Sequence, residues 1–317
     1  MKKNILFIGY GTGLLKLIKI FKTNSNINII GFILRSDVKN RNKEKFLKKI
    51  KDLKIKNFST KKINCPEFLK KLKLLKLDLI CCWGYNELIK KSLIDIPKHG
   101  IINLHPGLLP LGRGSGAITG EILNNVKHLG YTAHLINEKF DLGKVINQIK
   151  FKFSGLEYYD EIESKIKKKI YMFYYNSIIK FLKNNKKKNI TEFGRYYPKL
   201  APYDDYVDWN KKSLEIVKKG RSRSPRLLSK SIVIKNNKII YIKEINPSNI
   251  KNYKFVEGQV LDNSKEKGTL IKTKDNAVWI KQISYNKKIF FVPYFKIGTT
   301  FLSLNLSSIL EYINKIK

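Results

Sequence analysis

Arginine is nearly missing from a chain otherwise crowded with positive charge. Of 64 basic residues only seven are Arg (Arg35, Arg41, Arg113, Arg195, Arg221, Arg223 and Arg226), against 25 acidic residues and a formal charge of +39. Clustered cations bind phosphate backbones by releasing counterions, but Arg is the better bidentate phosphate reader. Here Lys is spread through almost every segment beside abundant Asn and Ile. That mixture reads as compositional bias rather than a selected polyanion surface.

Cysteine is scarce too. Cys65, Cys81 and Cys82 cannot make a disulfide framework, and their spacing fits no metal motif, so no metal is expected. The adjacent pair lies in an apolar run and reads as buried structural thiols. No stretch approaches the ~18 apolar residues of a membrane span. The run Ile5–Ile8 after Met1-Lys2-Lys3-Asn4 is too short for a signal peptide, and glycines interrupt it at once. The chain therefore reads as cytoplasmic and soluble, without a membrane partner. What is present, 43% hydrophobic residues and 12% aromatics over 317 residues, supports packed cores and suits two domains.

The amino-terminal two thirds alternate strand-like and helix-like segments. Ile5–Ile8 breaks at Gly9-Tyr10-Gly11-Thr12-Gly13, helical spacing resumes over Leu14–Ile20, and Ile27–Leu34 follows as a second strand. Residues 39–56 have apolar positions at Phe46, Ile50 and Leu53, which predicts an amphipathic helix. Further helices are expected at Phe68–Leu75, Leu88–Ile94, Ala117–Leu123 and Tyr158–Leu182, with strands at Leu77–Trp83, Gly100–Leu104, Gly130–Leu135 and Val145–Phe153. This order predicts an α/β domain: a Rossmann-like, mostly parallel sheet flanked by helices and joined by right-handed crossovers. Ligands in such sheets gather beyond the carboxyl ends of the strands. Asn103 and His105 stand at such an end.

A Pro-rich stretch, Tyr196-Tyr197-Pro198-Lys199-Leu200-Ala201-Pro202, marks a boundary. Beyond it, short strands at Ile232–Ile234, Ile239–Ile245, Glu257–Leu261, Thr269–Thr273 and Ala277–Ile283 predict a small β-barrel. The expected division is a catalytic domain over residues 1–195, a linker over 196–204 and a carboxy-terminal domain over 205–317.

The chemistry concentrates in Asn103-Leu104-His105-Pro106-Gly107-Leu108-Leu109-Pro110 and in Asp141 within Phe140-Asp141-Leu142-Gly143. An amide, an imidazole and a carboxylate can move an acyl group onto an amine. Donors aimed at the developing oxyanion supply the largest contribution, and a His or carboxylate carries the proton. Asn103 and His105, two apart on a strand, point to one face and can converge on one carbonyl oxygen. Asp141 opposite would raise the imidazole's affinity for a proton. Each residue also has a plain alternative: His105 as a hydrogen-bonded core residue, Asn103 and Asp141 as turn caps.

Taken together, Asn103-x-His105-Pro106-Gly107-Leu108-Leu109-Pro110, Arg113-Gly114, and Gly130-Tyr131-Thr132-Ala133-His134 leading to Asp141-x-Gly143 resemble the formyltransferase family that uses 10-formyltetrahydrofolate. The resemblance covers roughly residues 3–180 and implies Asn103, His105 and Asp141 as catalytic residues. It implies folate binding along Trp83, Tyr85, Asn86, Leu88 and Ile89 and around Asn137 and Phe140. It places the acceptor near Gly9, Tyr10 and Gly11, with Gly107, Leu108, Leu109 and Arg113 contributing. Gly9-x-Gly11-x-Gly13 lacks the full dinucleotide fingerprint, since position 14 is Leu, so no nicotinamide cofactor is expected. Tyr206-Val207-Asp208-Trp209 followed by Arg221-Ser222-Arg223-Ser224-Pro225 is similar to the start of the OB-like carboxy-terminal domain of two-domain members. Single-domain glycinamide ribonucleotide enzymes lack that block.

The resemblance leaves two acceptors, a nucleotide-linked amino sugar for surface polysaccharide and methionyl-tRNA. The two-domain layout and the charge suit RNA. Against tRNA, the segment after the second strand reads Leu34-Arg35-Ser36-Asp37-Val38-Lys39-Asn40-Arg41 rather than Gln-Pro-Asp-Arg and a basic wedge loop. Ser115-Gly116-Ala117-Ile118 likewise departs from the usual Ala-Ala-Pro-Ile. The sugar is the leading expectation and methionyl-tRNA the alternative. For a sugar nucleotide, Arg221, Arg223 and Arg226 could meet the diphosphate, cover a domain interface, or form a solvated turn. A non-catalytic basic RNA-binding module would show erosion of Asn103, His105 or Asp141, and none is eroded. A homodimer is left open.

Overall fold

The computed structural model describes residues 2–303 apart from 59, 61, 156, 191–193, 224–227, 234–237 and 251–253. The chain divides into two compact units. The first comprises residues 1–117, 128–152 and 165–198, and the second 118–127, 153–164 and 199–317.

Up to residue 198 the elements run β1 (Lys3–Gly9), α1 (Thr12–Lys22), β2 (Ile27–Leu34), α2 (Asn40–Asp52), α3 (Pro66–Lys73), β3 (Leu79–Trp83), α4 (Lys91–Ile94) and β4 (Ile101–His105). They continue with β5 (Gly112–Arg113), α5 (Ala117–Leu123), β6 (His128–Leu135), β7 (Val145–Lys152), α6 (Tyr159–Asn184) and β8 (Arg195–Tyr196). The sheet order is β2-β1-β3-β4-β6-β7. The first four strands are parallel, while β6 and β7 join antiparallel.

The central strands are apolar on both faces because helices cover both. Leu6 and Ile8 of β1 and Ile80 and Cys82 of β3 pack with Phe68, Leu69 and Leu72 of α3. Phe7 points the other way, its ring 5.3 Å from that of Phe21 on α1. On α6, Tyr174 is fully buried, its hydroxyl 2.6 Å from Ile102 O and 3.1 Å from Cys82 O. Burial pushes the Cys82 thiol up to about 12, so this pair is inert apolar filling.

One expectation shifts. The helix foreseen at Leu88–Ile94 shrinks to α4, because the Asn64 side chain takes the carbonyl of Leu88 and the N–H of Lys90. Tyr196, the first residue of the expected linker, is the last of β8. β8 pairs in parallel with β5, and Tyr197 N donates to Arg113 O at 2.8 Å.

In the second unit a 3₁₀ turn (Pro202–Asp205) and α7 (Ser213–Arg221) precede β9 (Ser229–Val233), β10 (Lys238–Pro247), β11 (Val260–Ser264), β12 (Gly268–Lys272), β13 (Ala277–Ser284) and β14 (Phe301–Leu302). Residue 234, the expected end of one strand, lies outside the described residues. The strands form one sheet in the order β11-β12-β13-β10-β9-β14, with antiparallel neighbours throughout. Residues just before and within β14 also return to the start of β11: Val260 N donates to Thr299 O and Phe301 N to Gly258 O, each at 2.9 Å. Trp209 is fully buried in this core, and its indole N–H donates to Ser231 Oγ at 3.1 Å.

Candidate active site

Antiparallel pairing of β4 with β6 sets Asn103 opposite His134 and His105 opposite Thr132. Polar side chains alternating on both strands thus meet on one face at the carboxyl end of β4. His134 Nδ1 lies 3.0 Å from its neighbour's carbonyl, Leu135 O, so that nitrogen carries the proton. Nε2 is left as a lone pair, and the Asn103 atom 3.2 Å from it must be the amide nitrogen. Hydrogen-bond chemistry therefore fixes the Asn103 amide, with one N–H on His134 and a second N–H free for another acceptor.

The same logic applies to His105. Its Nε2–H donates to Gly112 O at 2.7 Å, so Nδ1 is the lone pair, 3.4 Å from Asp141 Oδ1. A lone pair and a carboxylate at that separation form a seat for one shared proton. Gly107 makes the Gly112 contact reachable: a Cβ there would stand 2.4 Å from Gly112 O and 2.8 Å from His105 Nε2. Burial lowers the affinity of His105 for a proton, with Asp141 and the Gly112 carbonyl pulling the other way. The expected lift by Asp141 is present but outweighed, because His105 is only 4% exposed. His134, fully enclosed, is pushed down to about 4 by burial first and by His105 second.

Asp141 sits in the left-handed region at φ 55°, in the turn between β6 and β7. Gly143 permits that turn, since a Cβ there would lie 1.6 Å from Leu135 O. Asp141 Oδ2 accepts from Gly114 N at 2.8 Å, which locks the carboxylate toward His105.

Beside these groups lies a cleft of about 470 Å³, lined by Asn103, His134 and Asp141 at its polar end. Its walls include Tyr85, Leu88, Ile89, Ile136, Asn137 and Phe140, with Glu87 and Lys139 adding charge. Tyr85, Leu88, Ile89, Asn137 and Phe140, the positions that the resemblance assigns to folate, line this cleft. Trp83 and Asn86 do not. The half-buried Trp83 ring stacks on Tyr171, and Asn86 Nδ2 donates to Asp37 Oδ2 at 3.0 Å. His105 does not line the cleft either. It stands behind Asp141 with both ring nitrogens engaged, so its convergence with Asn103 on one carbonyl oxygen is replaced by the contact with Gly112.

The expected acceptor residues scatter. Gly9 and Tyr10 back onto β3, where Tyr10 N donates to Trp83 O at 3.2 Å, and Gly11 precedes α1. Leu108 and Leu109 are buried. Arg113 Nη2 donates to Gly194 O at 3.1 Å, its guanidinium over the Tyr196 ring. In the second unit Arg223 pairs with Asp205, and Arg221 lies over Tyr158, both nearly inaccessible, so neither makes a solvated turn. Arg226 lies outside the described residues.

His134 and Thr132 stand in the Gly130–His134 motif with no role assigned from sequence, Glu87 lies within the segment that the resemblance sets against folate, and Gln148 carries no sequence signal. The signal was the Thr132-x-His134 spacing on a strand, which mirrors Asn103-x-His105. Among the described residues no His, Cys, Asp and Glu cluster could hold a metal, and no helix is long and apolar enough to cross a membrane.

The chain is 28% identical over 297 residues to a methionyl-tRNA formyltransferase of Fusobacterium nucleatum, covering 90% of this chain and 93% of that protein. It is 30% identical over 212 residues to the bifunctional polymyxin resistance protein ArnA of Wigglesworthia glossinidia brevipalpis, covering 63% of this chain but only 32% of that protein. Among solved structures it superposes on WlaRD, a sugar 3N-formyl transferase in the presence of dTDP and 5-N-formyl-THF. The TM-score is 0.61 at 18% identity, over 88% of this chain and 98% of that one. It also matches HypX of Aquifex aeolicus in complex with tetrahydrofolic acid at a TM-score of 0.60 and 19% identity, covering 93% of this chain and 50% of that one. The formyl transferase signature matches residues 2–178 and the formyl transferase C-terminal domain signature residues 199–295, and the chain belongs to that family.

Proposed function

We propose that this enzyme moves a formyl group from 10-formyltetrahydrofolate to the primary amine of a nucleotide-linked amino sugar, in surface polysaccharide synthesis. The observation that carries formyl transfer is the meeting of Asn103, His134 and Asp141 at the polar end of an otherwise largely apolar cleft. Apolar walls at Leu88, Ile89, Ile136 and Phe140 suit a fused-ring co-substrate, and the polar end suits its acyl group. When bound, that co-substrate supplies a formyl carbon on a nitrogen able to leave.

The residues then divide the work. The free Asn103 amide N–H meets the negative charge that develops on the acyl oxygen. Asp141 takes a proton from the incoming amine as the new C–N bond forms. His105 Nδ1, 3.4 Å away, shares that proton until the old C–N bond breaks and the departing nitrogen receives it. His105 thus acts through Asp141 as a positioning and proton-holding residue.

The sugar acceptor is supported by the segment after β2. Only residues 35–39 separate it from α2, and they are tied down. Arg35 Nε donates to Asp37 Oδ1 at 2.5 Å, and Ser36 bonds Glu87. A short, self-paired turn suits no wedge into an RNA stem. Methionyl-tRNA is the second reading, favoured by the near full-length match to the Fusobacterium nucleatum protein. Under either reading we take residues 1–195 as the catalytic domain, 196–204 as the connection and 205–317 as an OB-like barrel. The hydrogen bonds from residues 298–301 to 258–260 support closure of that barrel.

The test incubates the protein with labelled 10-formyltetrahydrofolate and either nucleotide amino sugars or methionyl-tRNA. Label on a sugar amine is expected. Label on tRNA alone overturns the acceptor, and label on neither overturns formyl transfer to these amines.

A further inference from the structure

A row of polar side chains crosses three strands beneath the site. His105 on β4 is opposite Thr132 on β6, which is opposite Gln148 on β7. Thr132 is fully buried, and its hydroxyl is saturated. It accepts from Leu109 N and from Gln148 Nε2, each at 3.0 Å, and donates to Gly107 O at 2.7 Å. Gln148 Nε2 also donates to Leu109 O at 2.7 Å. Three hydrogen bonds from two side chains, themselves bonded to each other, thus clasp the start of the loop that follows β4. The far end of that loop does the chemical positioning: Gly112 O holds His105 Nε2–H, and Gly114 N holds Asp141 Oδ2. Gly112 N donates to Leu108 O at 3.0 Å, so the clasped and positioning ends are bonded to each other.

We propose that Thr132 and Gln148 are positioning residues that keep the His105 proton on Nε2, by holding the loop whose Gly112 carbonyl receives it. The proton-sharing face of the imidazole, Nδ1, is then always turned to Asp141 as a lone pair. Without the clasp, the Gly112 carbonyl drifts from Nε2. The neutral ring can then move its proton to Nδ1, where it bonds Asp141 and blocks uptake of the amine's proton. The inference rests on the proposed formyl transfer only for its kinetic consequence. The tautomer itself is a property of the free protein.

The experiment compares wild type with Thr132→Val, Thr132→Ser and Gln148→Met. ¹⁵N NMR of the four labelled imidazoles at pH 7.5 is read with a His105→Gln control to assign the signal. Wild type and Thr132→Ser are expected to show His105 as the Nε2–H form. Thr132→Val should shift it toward Nδ1–H, and Gln148→Met in the same direction by less. The kcat of Thr132→Val should fall about 10²-fold, the low end of what correct proton placement contributes. The KM for folate should move less than about twofold, since Thr132 lies outside the cleft. An unchanged His105 tautomer in Thr132→Val overturns the proposal even if kcat falls, as does a Ser variant that behaves like Val. If Thr132→Val does not fold, Gln148→Met decides on the same readouts. Absence of formyl transfer by wild type would remove the proposed function and leave the NMR result to decide the clasp.

Discussion

Asn103 and His134 are cross-strand partners on β4 and β6, joined by an amide N–H donated over 3.2 Å to an imidazole lone pair. The bond can run only in that direction, because the other His134 nitrogen is committed to Leu135 O. His134 thereby chooses which end of the Asn103 amide faces the cleft. His134→Ala is expected to free that amide to rotate and to lower kcat about 10-fold, a fraction of the ~10²–10³ that Asn103→Ala should cost by removing the donor itself. Steady-state kinetics check both. Equal losses in the two variants would mean that His134 does more than orient Asn103.

Replacing Asp141 by Asn keeps the shape and removes the proton acceptor. An Asn oxygen can still accept from Gly114 N, so the turn should hold. Turnover is expected to fall ~10²–10⁴-fold, the range for loss of a positioned proton acceptor. Equilibrium binding of tetrahydrofolate should stay within a factor of a few. Retained turnover in this variant would take Asp141 out of the mechanism.

Gly143 is part of the Asp141 turn for a steric reason. A Cβ at that position would overlap the Leu135 carbonyl oxygen, at 1.6 Å. Gly143→Ala must push the β6–β7 turn outward and carry Asp141 with it. Overpacking of this kind costs about 1–3 kcal/mol, so the urea midpoint should fall, and kcat should fall with it because Asp141 leaves His105. A variant as stable and as active as wild type would show that the turn is not confined as described.

The sequence made much of this architecture legible, because its signals are local. Apolar runs such as Ile5–Ile8 and Leu79–Trp83, short and ended by Gly9 and Gly84, suit strands between covering layers, and the Leu14–Phe21 spacing gives a helix with one apolar face. Asn103 and His105 were readable because two residues on one strand share a face. The site's second half was not, because it depends on register. Nothing local says that His134 lies opposite Asn103 or that Gln148 faces Thr132. Those pairings follow from the antiparallel entry of β6 and β7 into a sheet that begins parallel. Trp83 shows the same dependence on tertiary packing: the resemblance sets its segment against folate, and its ring packs between α1 and α6.

Acid should act on this site through its buried imidazoles. The folded-state pKa of His134, lowered to about 4, is below its ordinary 6.5. The unfolded chain therefore binds more protons between those two values, so stability rises with pH across that window. The contribution from a neutral His134 is complete above about pH 6.5 and is lost as pH falls toward 4; His105 works in the same direction. Protonation would also convert His134 Nε2 from acceptor to donor, facing the Asn103 N–H, and the amide would have to turn its oxygen inward. Stability and turnover should thus decline together on the acid side. Urea midpoints measured from pH 7 to pH 4 should fall more steeply for wild type than for His134→Gln, which has no proton to gain. Parallel slopes in the two proteins would show that other groups, the carboxylates first among them, govern the acid limb.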